Sequence, residues 1–180
     1  MNYLIGYSIE LQQQVSLLIS QNRLIERLQE KYPSSHAVRT DKSLYAYVLA
    51  LKGDFIRHAA TPSKVVFDND LRTIQRALGL HTAISRVQGG KLKAKNEIRI
   101  AALFKYMPIE FLKMIVVHEL AHLREKDHNK AFYKLCVSME QDYHQIEFDL
   151  RLYLTHAKVL GSLGWSREEK SNRDWLTQTT

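Results

Sequence analysis

The chain has 180 residues, of which 45% are hydrophobic and 25% are charged, and these values suit one globular domain with a substantial core. Its single cysteine, Cys136, excludes an intrachain disulfide, and it shows neither a signal peptide nor an apolar run long enough to span a membrane, so we expect a cytoplasmic protein. The net charge of +7 suits an anionic partner such as a nucleotide or nucleic acid, and it equally suits an ordinary soluble surface.

Two helices are predicted in the N-terminal third of the chain. Apolar residues recur at helical spacing from about residue 8 to residue 31, which predicts one long helix that Pro33 ends. A second helix is predicted from Asp41, a suitable N-cap, to about residue 58. We therefore expect an N-terminal helical part over residues 1–62.

The middle of the chain carries the strand signals. A short strand is predicted at residues 64–67, and residues 71–78 suit either a short helix or a strand. Two further strands, 81–87 and 95–104, are separated by a glycine-containing turn that is typical of a hairpin. Basic side chains in and beside this hairpin could hold phosphates or could simply be solvated: Arg86, Lys91, Lys93, Lys95 and Arg99.

The most informative motif lies on the next helix. His118-Glu119-Leu120-Ala121-His122 has the pattern H-E-x-x-H, and His128 follows six residues after His122. Residues four apart lie on one face of a helix, so His118 and His122 can bind one metal ion together. Glu119 lies beside that face and can reach a water molecule on the ion as a general base. His128 would be the third ligand and would leave the fourth position open, as a catalytic zinc site requires.

The alternative is a surface helix that carries unrelated histidines. This helix is apolar nearly all round, which is typical of a buried helix, and buried histidines need partners. It is predicted to begin near Pro108 and to end around Glu125. Asn129 can cap the following helix, which places His128 on the connecting loop. A last helix is predicted from Tyr143 to about Leu160.

The region around the motif resembles a known family. Val116–Leu123, followed by His128-Asn129-Lys130-Ala131-Phe132-Tyr133, resembles the YgjP-like metallopeptidase family, a group of small zinc hydrolases related to the WLM and SprT-like domains. The resemblance extends upstream over Leu78–Gly90 and downstream over Tyr143–Asp149. It implies that zinc is bound by the three histidines His118, His122 and His128, with Glu119 as general base.

The resemblance also implies a fold and a domain organisation. The expected fold is α+β: a small zincin-like (minigluzincin) domain with helices packed on a short three- to four-stranded sheet, and an extra N-terminal helical segment. We expect a single domain over residues 1–165, with the catalytic core at 63–160 and a polar tail at 166–180.

Three functions remain open from the sequence. The leading prediction is a zinc hydrolase of the H-E-x-x-H metallopeptidase type, with an unfolded peptide bound along a strand edge. The alternative is a UTP pyrophosphatase that uses the same zinc site, an activity associated with bacterial members of the family. The third is a nucleic-acid-associated module with a structural zinc, although structural sites usually have four protein ligands. A further donor should stabilise the developing charge, and the candidates are Tyr133, Tyr143, His144 and Arg151.

Overall fold

The computed structural model describes residues 3–69, 78, 96–161 and 165. Within them the fold is α+β, as predicted, with helices around a small parallel sheet. The elements in chain order are α1 (Ile9–Ser20), α2 (Arg23–Lys31), α3 (Asp41–Phe55), β1 (Lys64–Asp68), β2 (Glu97–Ala101), a 3-10 helix (Ala102–Tyr106), α4 (Ile109–Ala121), α5 (Lys130–Met139) and α6 (Tyr143–Leu160).

The predicted long N-terminal helix is in fact two helices, so that prediction was wrong. Asn22, between α1 and α2, has the left-handed φ of 56°, a conformation that asparagine tolerates better than most residues. The break lets each short helix turn its own apolar stripe inward. The buried residues are Val15 and Ile19 in α1 and Leu24 and Leu28 in α2.

The N-cap of α3 is Thr40, one residue earlier than predicted. Thr40 Oγ1 accepts a hydrogen bond from the Ser43 backbone N–H at 3.1 Å, and Ser43 Oγ accepts one from the Thr40 N–H at 3.1 Å, which forms a capping box. Asp41, the predicted cap, instead accepts a hydrogen bond from the backbone N–H of Phe67 at 2.9 Å. It therefore joins the start of α3 to strand β1.

The described part of the sheet contains two strands, fewer than the three to four predicted. β1 and β2 are parallel, with Val66 opposite Arg99. The predicted strand at 95–104 stops at Ala101 and continues as the 3-10 helix, which buries Phe104 completely. The predicted strand 81–87, the ambiguous residues 71–77 and the polar tail 166–180 lie outside the described residues.

Helix α4 runs through the centre of the core. Its side chains are buried on nearly all sides, and it contacts α3, α5, α6 and β2. It ends at Ala121, about one turn earlier than predicted. The N–H of His122 still bonds to the His118 carbonyl at 3.3 Å, but the next two N–H groups bond to carbonyls three residues back: Leu123 to Leu120 at 3.1 Å and Arg124 to Ala121 at 3.0 Å. A tight turn therefore follows the motif.

Helix α6 has the predicted bounds, and its side chains contact the N-terminal part of the chain. It stops at Gly161, whose φ of 63° suits glycine. Its buried Asp149 accepts hydrogen bonds from Lys31 Nζ and Tyr32 Oη, both at 2.7 Å, and so holds the N-terminal helices on the core. None of the helices in the described ranges is long and apolar enough to cross a membrane.

Candidate metal centre

Three imidazole rings converge at the C-terminal end of α4. The Nε2 atoms of His118 and His122 are 3.2 Å apart, those of His122 and His128 3.0 Å, and those of His118 and His128 3.2 Å. Donors about 2.0–2.1 Å from a tetrahedral ion lie roughly 3.3 Å from one another. The three nitrogens therefore fit one divalent metal ion, and among the described residues they form the one such cluster of three donors.

Local structure explains why these rings meet. His118 lies in the last turn of α4 and His122 is the C-cap residue, so one helical turn separates them. His128 lies on the short loop that leads into α5. Asn129 Oδ1 caps α5 by accepting a hydrogen bond from the Phe132 N–H at 2.9 Å. The cap fixes the far end of the loop and directs His128 back toward α4.

In His118 and His122, the other ring nitrogen, Nδ1, also has a hydrogen-bond partner. His122 Nδ1 lies 2.9 Å from the backbone carbonyl oxygen of Glu125. A carbonyl only accepts, so His122 carries its proton on Nδ1 and presents a lone pair at Nε2. His118 Nδ1 lies 2.8 Å from Tyr143 Oη. Partners of this kind set the tautomer and the orientation of metal-binding histidines.

The site is buried at one side and open at the other. His118 is buried, His122 is half-buried and His128 is exposed. Burial lowers the pKa of His118 well below 6.5, and the neighbouring His122 and His128 add to this effect. Burial also lowers the pKa of His128, with a further contribution from His122. Both shifts favour neutral imidazole, which is the form that binds a metal.

Phe132 packs against all three histidines. Its ring centroid lies 4.9 Å from that of His118, 4.6 Å from His122 and 4.7 Å from His128, and its side chain is completely buried. The sequence analysis named Phe132 only within the segment that resembles the family. His128 lies on the loop before α5, so helical spacing gave no signal for this contact.

Glu119 lies beside the imidazole cluster without belonging to it. Burial raises the pKa of its carboxyl group from 4.5 to about 7. Within the described ranges, its carboxylate has no hydrogen-bond or ion-pair partner. A partly desolvated carboxylate with a pKa near neutrality is well suited to accept a proton from a water molecule at neutral pH.

The raised pKa of Glu119 predicts a pH effect on the stability of the metal-free protein. Between pH 4.5 and 7 the unfolded chain loses this proton while the folded chain keeps it, so the contribution of Glu119 to the unfolding free energy falls as pH rises. His118 and His128, with lowered pKa values, act in the opposite direction up to their ordinary pKa of 6.5. We therefore expect Glu119→Gln to stabilise the protein more at pH 8 than at pH 5, by on the order of 1–3 kcal/mol.

Urea unfolding of metal-free wild type and Glu119→Gln at both pH values measures this difference. Comparing the two proteins cancels the histidine contributions, because both carry the same histidines. An equal stability difference at pH 5 and pH 8 would mean that the carboxyl group has an ordinary pKa.

The four candidate charge-stabilising donors separate into two pairs. Tyr143 is buried behind His118, and Arg151 is bonded to the backbone carbonyls of Tyr3 at 3.1 Å and Leu78 at 2.6 Å and to Glu147. The hydrogen bonds of these two side chains are therefore made to other residues of the fold. Tyr133 is half-buried and His144 is exposed, and their ring centroids are 5.3 Å apart at the side of the site nearest His128. Of the four, only this pair lies at the opening.

Of the five basic residues that could hold phosphates or be solvated, the structure describes one. Arg99 forms ion pairs with Asp68 at 3.2 Å and Glu97 at 3.0 Å. The remaining four lie outside the described residues: Arg86, Lys91, Lys93 and Lys95.

Comparison with known proteins identifies the family. The sequence model of the YgjP-like metallopeptidase domain matches residues 66–153, a range that contains the three histidines, Glu119, Phe132 and Tyr143. A protein from Escherichia coli (strain K12) named UTP pyrophosphatase is 56% identical over 159 residues, which cover 88% of this chain and 95% of that protein. No solved structure gives a significant match. The chain is therefore an enzyme of the YgjP-like metallopeptidase family.

Proposed function

We propose that this chain is a metal-dependent hydrolase that releases pyrophosphate from UTP. The observation that carries the proposal is the 56% identity, over 95% of its length, to a protein named UTP pyrophosphatase. The sequence alone placed peptide hydrolysis first and this activity second, and the relative reverses that order. Peptide hydrolysis stays as the second candidate, because the matching family model is that of a metallopeptidase domain.

We infer that His118, His122 and His128 hold a zinc ion. Three neutral imidazole nitrogens with one position left open are the donor set of a catalytic zinc site. Zinc at this position would lower the pKa of a water molecule to near neutrality and polarise a phosphoryl oxygen. The third function considered, a module with structural zinc, usually requires a fourth protein ligand, and within the described ranges the cluster has three.

The side chains around this position have distinct roles in the proposed reaction. Glu119 accepts a proton from the attacking water. The water oxygen forms a bond to the α-phosphorus, the bond from that phosphorus to the bridging oxygen breaks, and UMP and pyrophosphate leave. Tyr133 and His144 would donate hydrogen bonds to the charged phosphate oxygens, and the proximity of their rings to each other and of Tyr133 to His128 supports this role.

The ligand assignment predicts one zinc ion per chain and its loss when a ligand is removed. His128→Ala should release the metal, because two remaining imidazoles cannot complete the site, and the change at an exposed loop should leave the fold intact. Metal content after dialysis against a weak chelator measures this, with His144→Ala as the matched change at a neighbouring exposed histidine. Full occupancy in the His128→Ala protein would remove His128 from the ligand set.

The substrate proposal is tested by a panel of compounds incubated with the zinc-loaded protein. The panel contains UTP, the other three ribonucleoside triphosphates and an unfolded protein such as reduced, carboxymethylated casein. We expect pyrophosphate release from UTP and no new peptide fragments. Cleavage of the unfolded protein without pyrophosphate release would restore the peptidase prediction.

A further inference from the structure

We propose that Tyr143 is a positioning residue for His118, acting through a buried hydrogen bond between the phenol and the imidazole. The proposal rests on the inferred role of His118 as a metal ligand. His118 presents Nε2 to the other two imidazoles, and its Nδ1 lies 2.8 Å from Tyr143 Oη. Tyr143 thereby holds the ring of His118 in the orientation in which Nε2 faces the metal position.

The geometry supports a fixed arrangement. The distance from His118 Nδ1 to Tyr143 Oη is 2.8 Å, and their two rings are nearly parallel at 17°. His118 and Tyr143 are exposed by 3% and 1%. Water is therefore excluded as a competing partner, and a buried polar group that loses its partner costs about 1–3 kcal/mol.

The two residues come from different helices. His118 belongs to α4, and Tyr143 is the first residue of α6. The backbone N–H of Tyr143 also bonds to the Glu140 carbonyl oxygen at 3.0 Å, in the turn between α5 and α6. The hydroxyl is therefore placed by the packing of the helices, and its position is transmitted to the ring of His118.

Metal binding determines the direction of this hydrogen bond. A metal takes the lone pair of Nε2, so a neutral His118 that holds a metal carries its proton on Nδ1. The Tyr143 oxygen, which can donate or accept, then accepts from Nδ1–H. Removing the phenol oxygen would take this acceptor away from a buried N–H group.

A neutral partner also suits an anionic substrate. Metal-binding histidines frequently donate to a carboxylate, which makes the imidazole more basic and adds negative charge behind the metal. The phenol of Tyr143 orients His118 without adding charge at that position. The ion then keeps more of its positive charge for a triphosphate than it would with a carboxylate at this place.

The test removes the hydroxyl group of Tyr143 and keeps its aromatic ring. Tyr143→Phe should lower zinc affinity by about 10- to 100-fold, as expected for loss of a partner that orients a ligand. Affinity is measured by competition with a chromophoric chelator. Tyr153→Phe is the matched control, because Tyr153 is an equally buried tyrosine on α6 that packs against Phe111 and Trp165, and its zinc affinity should equal that of wild type.

A spectroscopic readout separates positioning from general destabilisation. The Nδ1–H resonance of His118 in the zinc-loaded protein reports its hydrogen bond. In wild type and Tyr153→Phe this resonance should lie downfield, and in Tyr143→Phe it should shift upfield. An unchanged Nδ1–H resonance and unchanged zinc affinity in Tyr143→Phe would overturn the proposal, whatever the substrate of the enzyme proves to be.

The wild-type protein provides a second measurement should Tyr143→Phe fail to fold. A hydrogen bond from His118 Nδ1–H to Tyr143 should give a downfield Nδ1–H resonance that exchanges slowly with water in the zinc-loaded protein. A His118 Nδ1–H resonance that exchanges as fast as that of an exposed imidazole would overturn the proposal.

Discussion

Glu119→Gln is expected to lower the rate of UTP hydrolysis by a factor on the order of 10² to 10⁴, the usual contribution of a general base. Glutamine has nearly the same shape but cannot accept the proton. Zinc should stay bound, since Glu119 lies outside the cluster of three imidazole donors. Pyrophosphate release by samples of equal zinc content measures the effect on turnover separately from any effect on metal binding.

Glu110→Gln is the matched control for this experiment. Glu110 lies in the first turn of α4, at the opposite end of the same helix, so its replacement should leave the turnover number unchanged. Wild-type turnover in Glu119→Gln at full zinc content would assign the base to another group. Loss of zinc from Glu119→Gln would instead mean that the carboxylate holds the metal directly.

The motif could be found from the sequence because its geometry is local. His118, Glu119 and His122 lie within one turn of a helix, and helical periodicity alone determines which of them share a face. The cap at Asn129 and the helix at Tyr143–Leu160 are local in the same sense, and the structure has both where they were predicted.

Other features depend on contacts between distant residues, and the sequence predicted these poorly. Tyr143 lies 25 residues from His118, and only the packing of α6 on α4 brings its hydroxyl to the ring. The four candidate donors were indistinguishable from the sequence for the same reason. Burial of Tyr143 and the backbone partners of Arg151, which include Tyr3 at the other end of the chain, are tertiary properties.

The errors at element boundaries have a similar origin. Local pattern continued the first helix through Asn22 and the second strand through Phe104. The break at Asn22 lets α1 and α2 each turn an apolar stripe toward the core, which one straight helix could not do. The 3-10 helix after Ala101 buries Phe104 completely. In both cases the gain in apolar burial outweighs the local preference.

Phe132→Ala is expected to destabilise the protein and to weaken metal binding at the same time. Removing a completely buried phenylalanine leaves a cavity, which lowers the free energy of unfolding by about 3–5 kcal/mol. The same ring contacts all three imidazoles, at centroid distances of 4.6–4.9 Å, so its loss also frees them to rotate. Urea unfolding measures the first effect, and zinc competition under conditions where the protein stays folded measures the second.

Phe104→Ala separates the two effects. Phe104 is the same residue type, is also completely buried, and lies in the 3-10 helix before α4. Among the described ring contacts, those to the three imidazoles include Phe132 and not Phe104. Replacement of Phe104 should cost a similar unfolding free energy, because the cost follows from the size of the cavity, but it should leave zinc affinity near that of wild type. Equal losses of zinc affinity in the two variants would mean that Phe132 acts through global stability alone. A loss confined to Phe132→Ala would identify this ring as the surface that holds the three imidazoles in their common orientation.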